Sequence, residues 1–281
     1  MIALAAFVVG AVVSAALWRA LGPQFAEAPQ VHRTNYRGEQ VPVGAGVVIV
    51  LAAVLVGAVY QAVVRAGGVS DAEAVRGATV LAGGTVGYGL IGLLDDLVGG
   101  AATKGFAGHL GALAHGRVTT GLVKLVWGVL LGFLASPGDL GASVRGGLLI
   151  AATANLANLF DRAPGRVVKV SLLGALVVAV CGAPGWHLTG PMLVLGAGAG
   201  MLVPDLREAC MLGDTGANVL GAAVGFGLVI AVGPTGQWVA LAVVAAMNLL
   251  SERVSFTRVI DATPPLRWLD RLGARPERRA R

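Results

Sequence analysis

GLIGLLDDLVGG, residues 89–100, ends an apolar run that begins near residue 74 and stops at two adjacent carboxylates, Asp95 and Asp96. About 20 residues rising 1.5 Å each cover the roughly 30 Å of a bilayer's hydrocarbon core. Read as a helix, this run crosses a membrane and delivers its acids to one boundary. The rest of the chain agrees, because 56% of its 281 residues are hydrophobic and 13% are charged, whereas a water-soluble domain has about a quarter charged. Composition therefore excludes a water-soluble globular enzyme. With 43 glycines and 5% aromatics, the helices are expected to pack closely through small side chains.

Comparable runs lie outward of this one at roughly 1–21, 44–64, 118–135, 146–160, 167–183, 188–203, 215–232 and 237–250. Together they predict an all-α fold, a polytopic transmembrane helical bundle of about nine to ten helices. The bundle occupies residues 1–250, and a basic amphipathic cytoplasmic tail follows over 251–281. The runs at 146–160 and 237–250 are short for a crossing, so either their ends reach into neighbouring polar residues or one is re-entrant. The first run lacks a preceding basic residue and a small-residue cleavage site, and reads as a retained helix rather than a signal peptide.

Charge sets the orientation. With the amino terminus outside, the inner loops hold Arg33, Arg37, Lys104, Arg117, Arg162, Arg166, Lys169 and Arg207, and the tail adds eight arginines. The opposite loops hold Arg65, Arg76 and Arg145. That asymmetry predicts a multi-pass cell-membrane protein with its carboxyl tail in the cytoplasm. The net charge of +6 suits a face beside anionic lipid and requires no nucleic acid. Cys181 and Cys210 fall near opposite faces, too far apart for a disulfide, and neither has metal-ligand spacing. In the tail, Pro264-Pro265 precede Leu266, Trp268, Leu269 and Leu272 flanked by arginines, a pattern suited to a helix on the cytoplasmic lipid surface. Disorder is the alternative for the last few residues.

On this map Asp95 and Asp96 end the third run, Asp161 follows the fifth and Asp214 precedes the eighth, so four carboxylates share the cytoplasmic boundary. One acidic pair at a helix end is usually a solvated terminus. Carboxylates there oppose the helix dipole, however, and acids near the hydrocarbon are costly, so their recurrence on separate helices points to a site. Oxygen ligands without histidine or cysteine suit Mg²⁺, with Mn²⁺ as the alternative; Mg²⁺ takes one or two carboxylates and completes its shell with substrate phosphates and water. Successive helical side chains point about 100° apart, so Asp95 and Asp96 have different tasks, one on the metal and one toward Lys124 or the acceptor.

Asn155, Asn158 and Asp161 recur every third residue in ATANLANLFD and share a helical face; hydrogen bonding between helices is the other reading. Lys124, just inside its run, either snorkels to the boundary or pairs with a cluster acid or a substrate phosphate. In MLGDTGANVLG, glycines flank Asp214 and let backbone approach a ligand, at what reads as the amino end of a helix.

GLLDDLVGG, NLANLFDRAPG and LGDTGANVLG, in that order on one face, resemble the polyprenyl-phosphate N-acetylhexosamine-1-phosphate transferases. That superfamily includes the phospho-N-acetylmuramoyl-pentapeptide transferase of cell-wall biogenesis. RTNYRGEQVPVGAG is similar to the family's first cytoplasmic loop, so the likeness runs from about residue 33 to residue 225. The resemblance implies an integral-membrane enzyme that moves a sugar-1-phosphate from a UDP-sugar to polyprenyl phosphate, releases UMP and uses Mg²⁺. It implies Asp95, Asp96, Lys124 and Asp214 as catalytic residues, with Asp214 and Asp95 on the metal. Asn155, Asn158, Asp161 and Gly213 would line the substrate. The implied partners are polyprenyl phosphate, a UDP-sugar and membrane lipids, with a homodimer compatible with the pattern and no nucleic acid.

Three departures stand out. The family reads Gly-x-Asp-Gly after its aspartate, whereas this chain has Arg162-Ala163-Pro164-Gly165 and lacks a second nucleotide-side carboxylate. None of His32, His109, His115 and His187 falls in the late loop where the pentapeptide transferase carries histidines. The tail offers Arg253, Arg258 and Arg267 as phosphate ligands instead. These departures make the pentapeptide an unfavoured substrate, and they keep open a catalytically inactive homologue that binds lipid phosphate or scaffolds envelope proteins. A transporter whose acids relay cations is a third reading, but it needs acids near the bilayer midplane.

Overall fold

The structure, a computed structural model, describes residues 1–67, 72–98, 111–112, 114–116, 118–135, 140–182 and 186–276. Lys104, His109, Arg117 and the arginines after residue 276 lie outside the described residues, as do the side chains of Arg65 and Arg76. The helices are α1 Ile2–Glu27, α2 Val47–Ala66, α3 Ala72–Val98, α4 Thr120–Ala135, α5 Leu140–Phe160 and α6 Arg166–Cys181. They continue with α7 Thr189–Gly200, α8 Leu202–Leu206, α9 Gly213–Ala231, α10 Pro234–Ser251, α11 Phe256–Ala262 and α12 Pro264–Arg271. Among the described residues, five stretches are long and apolar enough to cross a membrane: Ile2–Glu27, Leu140–Phe160, Thr189–Leu206, Gly213–Ala231 and Pro234–Ser251. Among the described residues the fold is all-α apart from one antiparallel hairpin, β1 His32–Thr34 and β2 Gln40–Pro42, in which Arg33 faces Val41. Asn35 closes its turn, its Oδ1 accepting from the backbone N–H of Arg37 and of Glu39 at 2.9 Å each.

Helix α9 is the centre of the bundle, packed against α3, α5, α6 and α7. Small residues set the distances between axes. A Cβ added at Gly221 of α9 would lie 2.7 Å from both Ala154 Cα and Ala157 Cβ of α5, and Gly10 and Gly196 bring the backbones of α1 and α7 into direct contact. Such approaches replace the large interlocking side chains that this composition lacks. The buried side chains Ile49, Tyr88, Leu149, Ile150, Leu195 and Leu220 fill the remaining core.

Both short runs extend into polar sequence. Helix α5 starts at Leu140 rather than near residue 146 and takes in Arg145, whose Nε donates to Gln237 Oε1 at 2.7 Å. The guanidinium also lies 5.7 Å from the Trp238 ring centroid. A charge matched from the adjacent helix does not end a helix.

The tail folds back on the bundle. After α10 the Phe256 ring stacks on Phe160 at the end of α5, centroids 5.0 Å apart. Asp270 of α12 then takes Arg166 bidentately, Nε–Oδ1 2.7 Å and Nη2–Oδ2 2.8 Å. Lys169 donates to the carbonyls of Leu269, Asp270 and Leu272. Beyond α12, the backbone oxygens of Arg275 and Pro276 accept from Arg37 of the hairpin, and Arg275 pairs with Glu39 at 3.0 Å.

Candidate functional site where four helix ends meet

Four helix ends converge at this site. Asp95 and Asp96 lie in the last turn of α3, Lys124 near the start of α4, Asn158 in the last turn of α5, and Gly213, Asp214 and Thr215 open α9. Gly92 allows the α3–α9 approach, because a Cβ there would collide with the backbone of Asp214 and Thr215. Tyr88, fully buried on α3, donates its hydroxyl to the carbonyl of Lys124 at 3.2 Å and fixes the height of α4.

The two adjacent aspartates divide as the 100° helical step requires. Asp95 Oδ2 meets Lys124 Nζ at 2.8 Å, and the same ammonium reaches Asp214 Oδ2 at 3.0 Å. Asp96 turns instead to the amino end of α9, where it accepts from Asp214 N at 2.9 Å, Thr215 N at 3.0 Å and Thr215 Oγ1 at 2.5 Å. It caps a helix that is not its own, satisfying orphan N–H groups and the positive end of the dipole with one carboxylate. Gly213 has φ +67°, and a Cβ there would lie 2.5 Å from Asp96 Oδ1. Only glycine meets both demands.

Asp214 is the accessible member. Its side chain is 38% exposed against 17% for Asp95 and 8% for Lys124. Asn158 Nδ2 donates to Asp214 Oδ2 at 2.7 Å, while Asn158 Oδ1 is buried with no hydrogen-bond partner. Asp161 follows the end of α5, and its carboxyl is pushed well above the ordinary value, first by burial and then by the charges of Asp205, Asp214 and Asp96. Asn155 points elsewhere, its Nδ2 donating to Asn248 Oδ1 of α10 at 2.6 Å, the interhelical bond that was the other reading for this residue. Arg258 is exposed on α11.

Several residues that shape this end were not singled out from sequence. Asp205, buried at the end of α8, accepts from Gly165 N at 2.9 Å, so a carboxylate reaches the Arg162–Gly165 turn from a different helix. Glu208, with φ 56°, binds the hairpin through Asn35 Nδ2, Tyr36 Oη and Arg37 Nε. The signal was the interruption of an apolar stretch by acids nine and six residues before Asp214. Asn218, one turn beyond Asp214 on α9, is fully buried with both amide atoms unpartnered.

The donor set can be compared with a divalent cation. Among the described residues no three histidine, cysteine or acidic side chains gather closely enough to hold a metal alone. Mg²⁺ needs no such cage, since one or two carboxylates suffice when phosphate and water complete the shell. Asp95 and Asp214 already converge on one cationic group from different helices, and the unpartnered Asn158 oxygen beside them is a further hard donor. The residues present therefore fit the ion. Compared with known proteins, the chain matches no family model and no curated protein.

Proposed function

We propose that this protein is a membrane-embedded phosphotransferase that moves a sugar-1-phosphate, of the N-acetylhexosamine type, from a UDP-sugar to polyprenyl phosphate and releases UMP. The observation that carries this reading is the Lys124 ammonium between Asp95 and Asp214, with Asn158 on the same Asp214 oxygen. That constellation joins three of the four motifs on which the family resemblance rests. Nine membrane crossings, an outer amino terminus and a cytoplasmic site follow from the same reading, which puts the acids where a soluble nucleotide and a lipid phosphate meet.

The reaction brings an anion to an anion. The acceptor phosphate, with a second pKa near 6, is largely dianionic at neutral pH, so strong base catalysis is not required. Its oxygen forms a bond to the sugar-bearing phosphorus while the bond from that phosphorus to the UMP oxygen breaks, and the electron pair leaves with UMP. Mg²⁺ held by Asp95 and Asp214 would supply charge neutralisation for the diphosphate. Lys124, released from one carboxylate, screens the incoming phosphate. Asn158 orients Asp214, Asp96 holds the start of α9 in place, and Asp161, Gly213 and Arg258 line the approach for substrate.

The test is exchange of labelled UMP into a UDP-sugar by purified protein with polyprenyl phosphate and Mg²⁺. Exchange should occur and be lost in Asp214→Ala. Exchange undiminished by that substitution overturns the site. The altered Arg162–Gly165 turn favours a second reading, a homologue that binds lipid phosphate without turnover; it predicts polyprenyl-phosphate binding with no exchange for any UDP-sugar.

A further inference from the structure

We propose that α11–α12 is a binding element for anionic lipid, with the groove beside Arg267, Trp268 and Arg271 as its headgroup site. This inference does not depend on the catalytic reading.

Helix α12 has two differently committed sides. Asp270 is fixed to Arg166, whose side chain is 5% exposed, so the helix cannot roll. Leu266, Trp268, Leu269 and Leu272 are left 42–62% exposed. At about 100° per residue Leu266, Leu269 and Trp268 spread over a face roughly 160° wide, and Leu272 follows at the helix end. Arg267 and Arg271, four apart and both exposed, form the next flank. Between the arginines and Trp268 runs an open groove, also lined by Pro264, Leu272 and Gly273. Arg267 gives one N–H to Asp261 O at 3.3 Å and has five donors in all.

The level of α12 identifies what covers its apolar flank. Lys169, in the first turn of α6, holds the carbonyls of Leu269, Asp270 and Leu272. The next turns of α6 expose Leu173, Leu176, Val177 and Val180. Helix α12 thus lies within about one helical turn, roughly 5.4 Å, of an outward apolar stripe that only hydrocarbon satisfies. An aromatic residue and leucines at that depth, with guanidiniums on the adjoining flank, match a bilayer surface bearing phosphate headgroups.

The experiment uses the full chain in phosphatidylcholine vesicles containing a minor fraction of phosphatidylglycerol. Trp268 emission is taken as the difference between wild type and Trp268→Phe, and brominated acyl chains are placed on one lipid at a time. Brominated phosphatidylglycerol should quench Trp268 beyond its share of the lipid. Arg267→Gln/Arg271→Gln should weaken the preference for phosphatidylglycerol by up to about thirtyfold and so remove most of that excess, Arg267→Lys/Arg271→Lys should retain most of it, and millimolar inorganic phosphate should leave it unchanged. Quenching in proportion to mole fraction, or emission open to acrylamide and untouched by either lipid, overturns the proposal. Displacement by inorganic phosphate also overturns it, and makes the groove a site for the free anion.

Discussion

Lys124 stands between two carboxylates with only 8% of its side chain exposed, so its removal leaves Asp95 and Asp214 facing each other without a cation. Lys124→Met should abolish UMP exchange and destabilise the fold by about 3 kcal/mol, the cost of stranding one partner of a buried pair. The double variant with Asp95→Asn should recover part of the stability and none of the activity, as read by thermal unfolding in detergent. Recovery of neither would mean that Asp95 is not the stranded partner.

Asp161 makes a prediction of opposite sign. Its carboxyl holds a proton more tightly in the native state than at the ordinary value of 3.8. Its favourable contribution to folding is therefore complete below 3.8 and declines as pH rises toward the elevated native value. Asp161→Asn cannot ionise, so its gain in melting temperature over wild type should be larger near pH 8 than near pH 5. Equal gains at the two would remove the assignment. At this scale Asp95, Lys124, Asn158 and Asp214 were legible as a group because each is a polar residue in apolar surroundings. The division between Asp95 and Asp96 was legible only as a difference in direction. The cap on α9 depends on where another helix begins, and no local pattern encodes that.

Helix α5 shows why hydropathy misjudged a helix start. Its amino-terminal turns contain Arg145, which local sequence reads as a boundary, yet Gln237 and Trp238 of α10 match the charge. The docking of α12 was hidden for a related reason: Arg166 and Asp270 are 104 residues apart, and Arg166 and Lys169 read from sequence as ordinary inner-face cations. Asp270→Asn should loosen the tail without melting the bundle. Limited proteolysis is expected to cut near residues 263–273 faster than in wild type, with a cost of about 3 kcal/mol from the uncovered Arg166. Unchanged cleavage would show that the carbonyl contacts of Lys169 suffice alone.

For the molecule as a whole, the apolar runs were enough to foresee a helical chain with stretches long and apolar enough to cross a membrane, because hydrocarbon leaves an apolar segment little choice of secondary structure. The packing order, with α9 central, rests on glycine contacts that composition signals only in bulk. Orientation is testable with the native thiols, since Cys181 is exposed at the end of α6 and Cys210 is buried near the site. A membrane-impermeant maleimide applied to intact cells should label Cys181 and spare Cys210, and labelling of Cys181 only after permeabilisation would invert the proposed topology.

The clasp between Arg37 and residues 275–276 also imposes an order on biosynthesis. The two ends of that clasp are 238 and 239 residues apart in the chain, and ribosomes add about 5–20 residues per second. Arg37 thus emerges roughly 10–50 s before the carbonyls that it will hold. The early segments are made in that interval with the hairpin unfastened, and the clasp can close only after residues 275 and 276 have been translated.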